Sequence, residues 1–324
     1  MVVRDAPDPA LTPSIVVSAD AFGELVDPYR HELLVHCYRM LGSIDDAEDV
    51  VQDALVRAWH GRNTYRRAIS FRAWLYKIAT NACLDAIEGR RQGRGGEQSL
   101  GVGPYPDEVL GETTAGPEAR YDAHESISLA FLTVLQLLPP RQRAVLILRD
   151  VLSLRAAEVA SLLDLSVPAV NSALHRARTA VSRRYAPPSS PSDQHPVRPA
   201  GHVRSLLDRY VRAWESADVA GLVALLRDDA VVAMPPGLVV TGRQAIGAFL
   251  ADSVFVPGTR LRLLPIRANG GPGFVIYSGS GTLGALRPYA VVLLEIDGST
   301  ISRMSAFADQ RLIARFGLPP ELAG

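Results

Sequence analysis

Cysteine is nearly absent from this chain of 324 residues: only Cys37 and Cys83 occur, too few to staple a fold with disulfides. Both fall inside helical apolar patterns, where a free thiol acts as a small hydrophobe. No apolar run approaches the ~20 residues needed to span a bilayer. Residues Met1 to Asp20 mix Asp, Pro and Ser and lack a basic start followed by an apolar stretch, so no signal peptide is read. These absences point to a soluble cytoplasmic protein with no membrane partner. The chain is too long for one ordinary compact domain, so two or three are expected. Its 48% hydrophobic and 21% charged residues are ordinary for globular proteins.

Formal charge sums to zero, yet the charges are not evenly spread. Residues 1–53 hold 3 basic and 11 acidic side chains, and residues 54–94 hold 9 basic and 2 acidic. Residues 95–140 hold 1 basic and 7 acidic, residues 141–184 hold 8 and 3, and the remainder is close to balanced. Two basic blocks separated by acidic ones predict two surfaces for a polyanion and other surfaces for a basic partner.

Helical spacing runs from Phe22 to Leu41 and, capped by Asp45 or Asp46, onward to about Trp59. This second helix begins acidic (Asp45, Asp46, Glu48, Asp49, Asp53) and ends basic (Arg57), which suits the helix dipole. A polar loop, 61–70, precedes a helix from Phe71 to about Arg91. Its predicted buried stripe is Phe71, Trp74, Leu75, Ile78 and Ala82, with Lys77, Asn81 and Asp85 on another face. Residues 93–117 read as an acidic linker, with no basic residue between Gly95 and Ala119. Helices follow from about Ala123 to the Pro139-Pro140 pair, then over Arg141–Leu152, Leu154–Leu163 and Val167–Tyr185. A Pro/Ser-rich linker, 186–199, comes next. Beyond it, helices are expected over His202–Ser216, Val219–Leu226 and Arg243–Asp252. Strands are expected over Ala230–Met234, Leu261–Arg267, Phe274–Tyr277, Tyr289–Ile296 and Thr300–Phe307. Helices first and an antiparallel sheet afterwards make an α+β domain.

Leu154–Ser166 followed by Val167–Arg178 has the layout of a helix-turn-helix. Ser166 caps the second helix and Pro168 lies in its first turn. Val167, Val170, Leu174, Ala177 and Val181 form the expected buried stripe, leaving Asn171, Ser172, His175, Arg176, Thr179 and Arg183 outside. Asn and Arg suit bidentate contacts to adenine and guanine, while Arg178, Arg183 and Arg184 suit phosphates. The segment Arg62–Asn81 interleaves basic residues with Tyr65, Phe71, Trp74 and Tyr76, a combination suited to unstacked single strands. Phe71 and Trp74 fit core packing; Tyr65 and Tyr76 stay open. In the C-terminal domain no His falls on a predicted strand. Asp228 and Asp229 read as helix-end residues, and Trp214, Met234 and Phe249 read as core or pocket wall. A polymerase-independent regulator would use the same helix-turn-helix without needing the acidic 45–53 face. An enzyme with a DNA-binding appendage would need convergent ionisable groups in the C-terminal domain, which are not evident.

The runs His36–Trp59 and Phe71–Asp85 resemble region 2 of an extracytoplasmic-function sigma factor. Leu138-Pro-Pro-Arg-Gln-Arg-Ala-Val-Leu-Ile-Leu-Arg-Asp150, with the helix-turn-helix behind it, resembles region 4. The tail from His202, with Trp214, Asp218, Asp228–Pro236 and Gly242–Leu250, resembles a SnoaL-like domain of the cone-shaped NTF2-like fold. The Pro104-Tyr-Pro-Asp107 stretch and the Leu-Pro-Pro near the end look most like the sigma-G type, with the sigma-J type as near alternative.

The resemblance implies a multidomain chain of two all-α sigma domains and one α+β domain. A disordered tail, 1–19, would precede region 2 at 20–92. The acidic linker 93–117, region 4 at 118–185, the linker 186–199 and a regulatory domain at 200–324 would follow. It implies core RNA polymerase (β′ clamp and β subunits) and promoter DNA as partners, and leaves a small-molecule ligand of the C-terminal domain open. Asp49, Gln52 and Asp53 would face the clamp helices. Arg62, Tyr65, Arg66, Arg67, Lys77 and Asn81 would serve the −10 element. Asn171, Ser172, His175, Arg176, Arg178 and Arg183 would serve the −35 element. No catalytic group, metal or cofactor is implied. Asp85 departs from the expectation, because a carboxylate on the presumed DNA face repels phosphate.

Overall fold

A computed structural model describes residues 19–65, 70–92, 102–108, 127–183, 200–235, 237–281 and 284–323. The expected N-terminal tail (apart from Ala19), the linker 186–199, most of the linker 93–117, and Arg66, Arg67 and Arg184 lie outside these residues. The chain divides into two compact units: residues 1–98 with 130–185, and residues 99–129 with 186–324.

The first unit begins with three helices, α1 (Ala19–Leu41), α2 (Ile44–Gly61) and α3 (Phe71–Arg91). Ser43, rather than Asp45 or Asp46, caps α2, its hydroxyl accepting from the Asp46 amide. The preceding Gly42 has φ +78, and a Cβ there would stand 3.1 Å from the Gln136 side chain. Only glycine serves both the left-handed turn and the close approach. The buried side of α3 is Phe71, Leu75, Tyr76, Ala79, Ala82 and Cys83; Trp74 and Ile78, expected in the stripe, are half-buried. Tyr76 is core, not an open aromatic, and meets the ring of His36 edge-on at 5.1 Å. His36 is itself fully buried, with Nε2 2.9 Å from Thr80 Oγ1. Burial drives its pKa down to about 3, so it is a neutral core group. Cys37 and Cys83 are buried free thiols, as the apolar spacing predicts.

The rest of the unit is α4 (Leu129–Gln136), α5 (Pro140–Leu146), a π turn (Ile147–Val151), α6 (Ala156–Leu162) and α7 (Val167–Ser182). The π turn interrupts what the sequence reads as one helix to Leu152. Arg143 of α5 is buried, and its guanidinium donates to the carbonyls of Met40, Gln136 and Leu138 and to Gln136 Oε1. Burial lowers its pKa to about 10; the carbonyls satisfy the charge, including one from the C-terminal turn of α1, where the helix dipole favours a cation.

The second unit contains α8 (Ala200–Glu215), α9 (Val219–Val223), α10 (Arg243–Ser253) and a six-stranded sheet. The strands are β1 (Leu226–Met234), β2 (Leu238–Thr241), β3 (Thr259–Ala268), β4 (Gly271–Ser280), β5 (Arg287–Asp297) and β6 (Thr300–Phe307), in the order β2-β1-β6-β5-β4-β3. The sheet is mixed rather than antiparallel, because β1 pairs parallel with β6. Strand β2 and a last helix, α11 (Gln310–Ala314), have too few alternating or periodic positions to be read from sequence. The core brings Tyr210 and Trp214 of α8 against Phe274 of β4 and Met304 of β6, with Tyr210 and Phe274 stacked at 5.4 Å. Asp218 caps α9, accepting from the Gly221 amide at 2.8 Å.

A short piece of the acidic linker belongs to this second unit. Pro106 forms an antiparallel bridge with Ala268 at the end of the edge strand β3. Tyr105 is fully buried. Asn269, in the β3–β4 turn, accepts from the Tyr105 amide at 2.7 Å, donates its own amide to the Tyr105 carbonyl, and donates Nδ2 to the Ile127 carbonyl. Asp107 accepts from the Gly270 amide at 2.8 Å. One buried asparagine thus fixes the chain at Tyr105 and at Ile127.

Candidate nucleic-acid interface

Helix α7 owes its position to a buried stripe of Val170, Ala173, Leu174 and Ala177. Val167, expected in that stripe, is exposed at the helix start, and Ala173 takes its place. Ser166 caps the helix, its hydroxyl accepting from the Ala169 amide. Asn171, Ser172, His175 and Arg176 all stand exposed on one side, and Arg176 donates to the Ser172 hydroxyl at 2.6 Å. His175, Arg176, Thr179 and Arg183 line a shallow surface hollow. Arg178 is already held: it makes two bonds to Asp150 in the π turn, at 2.7 and 2.9 Å, and the carboxylate raises its pKa.

The turn of the helix-turn-helix has a second effect. Asp164 adopts φ +52, a left-handed conformation that Asp tolerates better than most residues. Its carboxylate accepts from Lys77 Nζ on α3 at 2.7 Å, and the Ser161 carbonyl accepts from the same amine at 3.1 Å. Lys77 is therefore engaged by the recognition module. Sequence patterning misses this contact, which joins residues 87 positions apart. Arg143 belongs to the Leu138–Asp150 motif, but its role in tying α5 to the end of α1 is likewise invisible to local pattern.

Asn81 is half-buried on α3. Asp85, the apparent misfit, pairs with Arg57 of α2 at 2.6 Å, and Arg57 also pairs with Asp53 at 2.8 Å. The carboxylate thus faces protein, and its charge is answered there. Arg62 stacks over Trp59 at 3.7 Å and donates to the Trp59 carbonyl. Tyr65 joins Phe71 and Trp74 in an aromatic cluster, at 5.6 and 5.3 Å. On α2, Asp49, Gln52 and Asp53 are exposed, with Val56 beside them at 54% exposure. That is a polar patch with one apolar anchor.

In the second unit, Asp228 and Asp229 lie within β1, not at a helix end. They are outward-facing partners of Arg243 and Arg227. Among the described residues no cluster of His, Cys, Asp and Glu could hold a metal ion, and no described helix is long and apolar enough to cross a membrane.

Comparison with known proteins agrees with this arrangement. The Sigma-70 region 2 family matches residues 25–93, the Sigma-70 region 4 family residues 128–181, and the SnoaL-like domain family residues 207–307. The chain is 38% identical over 328 residues to the ECF RNA polymerase sigma factor SigG of Mycobacterium tuberculosis, spanning 93% of this chain and 85% of that one. It is 32% identical over 200 residues to SigJ of the same organism, spanning 62% of this chain and 60% of SigJ. The crystal structure of M. tuberculosis SigJ shares the fold, with a TM-score of 0.61 at 22% identity over 92% of this chain and 99% of that one. Two helical sigma regions in order, a capped recognition helix and a fused α+β domain thus come together in one chain, and the protein belongs to the extracytoplasmic-function sigma factors, which direct RNA polymerase to promoters.

Proposed function

We propose that the chain acts in the cytoplasm, binding core RNA polymerase through the exposed face of α2. Asp49, Gln52 and Asp53 meet the basic clamp helices of the β′ subunit, and Val56 adds an apolar contact. Lys77, Asn81 and the 62–70 loop, with Tyr65, Arg66 and Arg67, hold the −10 element and an extruded base, whose capture offsets part of the cost of opening the duplex. Asn171, Ser172, His175 and Arg176 enter the −35 major groove, while Arg183 and, in exchange for Asp150, Arg178 hold phosphates. Carrying both modules on one polymerase makes the second DNA contact effectively intramolecular.

The observation that supports this reading best is α7. Its buried stripe is apolar throughout, and four side chains suited to base reading share the open side. The C-terminal domain regulates rather than catalyses. Its carboxylates at 228 and 229 are spent in surface ion pairs, and it holds the tether between α3 and α4 through Asn269.

Run-off transcription by purified core polymerase tests both parts, comparing the full chain, a 1–199 truncation and Asn269→Ala. Protein-dependent transcripts are expected, and both altered chains should differ from the full chain in the same direction. Failure of all three to bind core polymerase would overturn the sigma reading. Identical transcription by all three would overturn the regulatory one.

A further inference from the structure

Ion pairs join α2 to α3 at two places. Near the start of α2, Asp46 meets Arg90 of α3 at 2.7 Å. Near its end, Arg57 forks between two carboxylates. Its Nη1 donates to Asp85 of α3 at 2.6 Å, and its Nη2 pairs with Asp53, one turn back on α2, at 2.8 Å. A planar guanidinium with its fixed fork of donors suits two acceptors at once. Both carboxylates raise the pKa of Arg57, Asp85 the more strongly. The side chains of Arg57, Asp53 and Asp85 are 43%, 49% and 62% exposed. At that exposure each pair is weak, and a competing cation can displace Arg57 from either partner.

The two carboxylates belong to different surfaces. Asp53 stands with Asp49 and Gln52 on the exposed face of α2, the face proposed to meet polymerase. Asp85 continues the Lys77–Asn81 face of α3 by one turn, about 6 Å further along the helix axis. That spacing is within the ~8–10 Å over which charges interact at physiological salt. An unanswered carboxylate there would repel a phosphate held beside Asn81. One arginine is thus shared between the proposed polymerase face and the proposed −10 face.

We propose that Arg57 is a positioning residue that couples the two faces by dividing its charge between Asp53 and Asp85. In the free chain the guanidinium is split between them. When a basic side chain of polymerase takes Asp53, Arg57 is left to Asp85 alone and neutralises it more completely. The α3 face then repels phosphate less in the polymerase-bound chain than in the free one. Linkage makes the effect reciprocal, so DNA on α3 and a cation on Asp53 favour each other. The Asp46–Arg90 pair shares neither carboxylate and keeps the helices joined throughout. The inference rests on the proposed assignment of α2 to polymerase and α3 to the −10 element.

Affinities of full-length chains for purified core polymerase and for a labelled −10 single-stranded oligonucleotide test the coupling. Arg57→Gln should move the two in opposite directions. Core binding should tighten and single-strand binding weaken, by about threefold each, the range of an exposed ion pair. Adding Asp85→Asn to that variant should restore single-strand binding. Asp85→Asn alone should change it by less than about twofold, because Arg57 already answers that charge. The same single variant should weaken core binding by about twofold, since Arg57 then rests on Asp53 only. A merely structural role for Arg57 would weaken both affinities together. That result, or failure of Asp85→Asn to restore single-strand binding, would overturn the proposal. If Arg57→Gln melts early, the core affinity of Asp85→Asn decides, and no loss there contradicts the coupling. An unaltered chain that binds neither probe would overturn the sigma reading and this inference with it. An unaltered chain that binds both confines any failure to Arg57.

Discussion

The two helices proposed to read DNA, α3 and α7, carry similar chemistry and differ in what already touches them. On α7, Asn171, Ser172, His175 and Arg176 point outward from an apolar stripe. On α3, Lys77 is held by Asp164 and the Ser161 carbonyl. On the proposed assignment, −35 duplex recognition should be available in the isolated chain, whereas the −10 surface should become fully available only when α3 parts from the helix-turn-helix. Opening is expected to cost little at Lys77, because an exposed ion pair contributes about 0.2–1 kcal/mol. The buried Arg143 clasp resists separation more strongly.

Acid should break the symmetry between the helices most. His36 supports α3 from behind through Thr80, and α7 has only apolar residues in its buried stripe. Burial lowers the pKa of His36 from 6.5 to about 3 in the folded chain, so the unfolded chain takes up the proton first as pH falls. The stabilisation is fully present above pH 6.5 and is lost at about 1.4 kcal/mol per pH unit on the way toward 3. Hydrogen exchange at decreasing pH should therefore show α1 and α3 opening before α6 and α7. His36→Gln should flatten the difference.

Arg143→Ala comes next in size. It leaves the carbonyls of Met40, Gln136 and Leu138 without their donor, at a cost of roughly 2–4 kcal/mol. The change is measurable as a lower urea midpoint of the first unit, followed by fluorescence in a chain carrying Trp214→Phe, so that Trp59 and Trp74 alone report. Asn171→Ala and Arg176→Ala should each weaken −35 duplex binding by about 1–3 kcal/mol, with binding of a −10 single strand unchanged. Asp164→Ala should have the smallest effect and the opposite sign. Releasing Lys77 should tighten binding of a −10 single-stranded oligonucleotide by up to about fivefold, read by fluorescence anisotropy.

How far these features can be read before folding depends on their range. Helix α7 is legible because a 3.6-residue apolar period, the Ser166 cap and Pro168 are all local. The four sheet strands beyond residue 258 are legible because they alternate or form β-prone runs between turns. Strand β2 is not, having four residues and no fully buried position. The parallel pairing of β1 with β6 follows from the closing of the domain, which no local signal records. The Lys77–Asp164 contact and the Asn269 clasp on Tyr105 join residues 87 and 164 positions apart, and nothing in either neighbourhood announces the other. Asp85 taught the reverse: a residue that looks wrong for DNA on its own helix is answered by Arg57 on the next.

Lys77 is the only lysine in the chain, which makes the central contrast directly measurable. Amine acylation followed residue by residue in the free protein should modify Lys77 several-fold more slowly than in Asp164→Ala, and binding to core polymerase should remove that difference. Lys77 reacting at the same rate in both free proteins would contradict the account, and would mean that the −10 surface is as open as the −35 surface from the start.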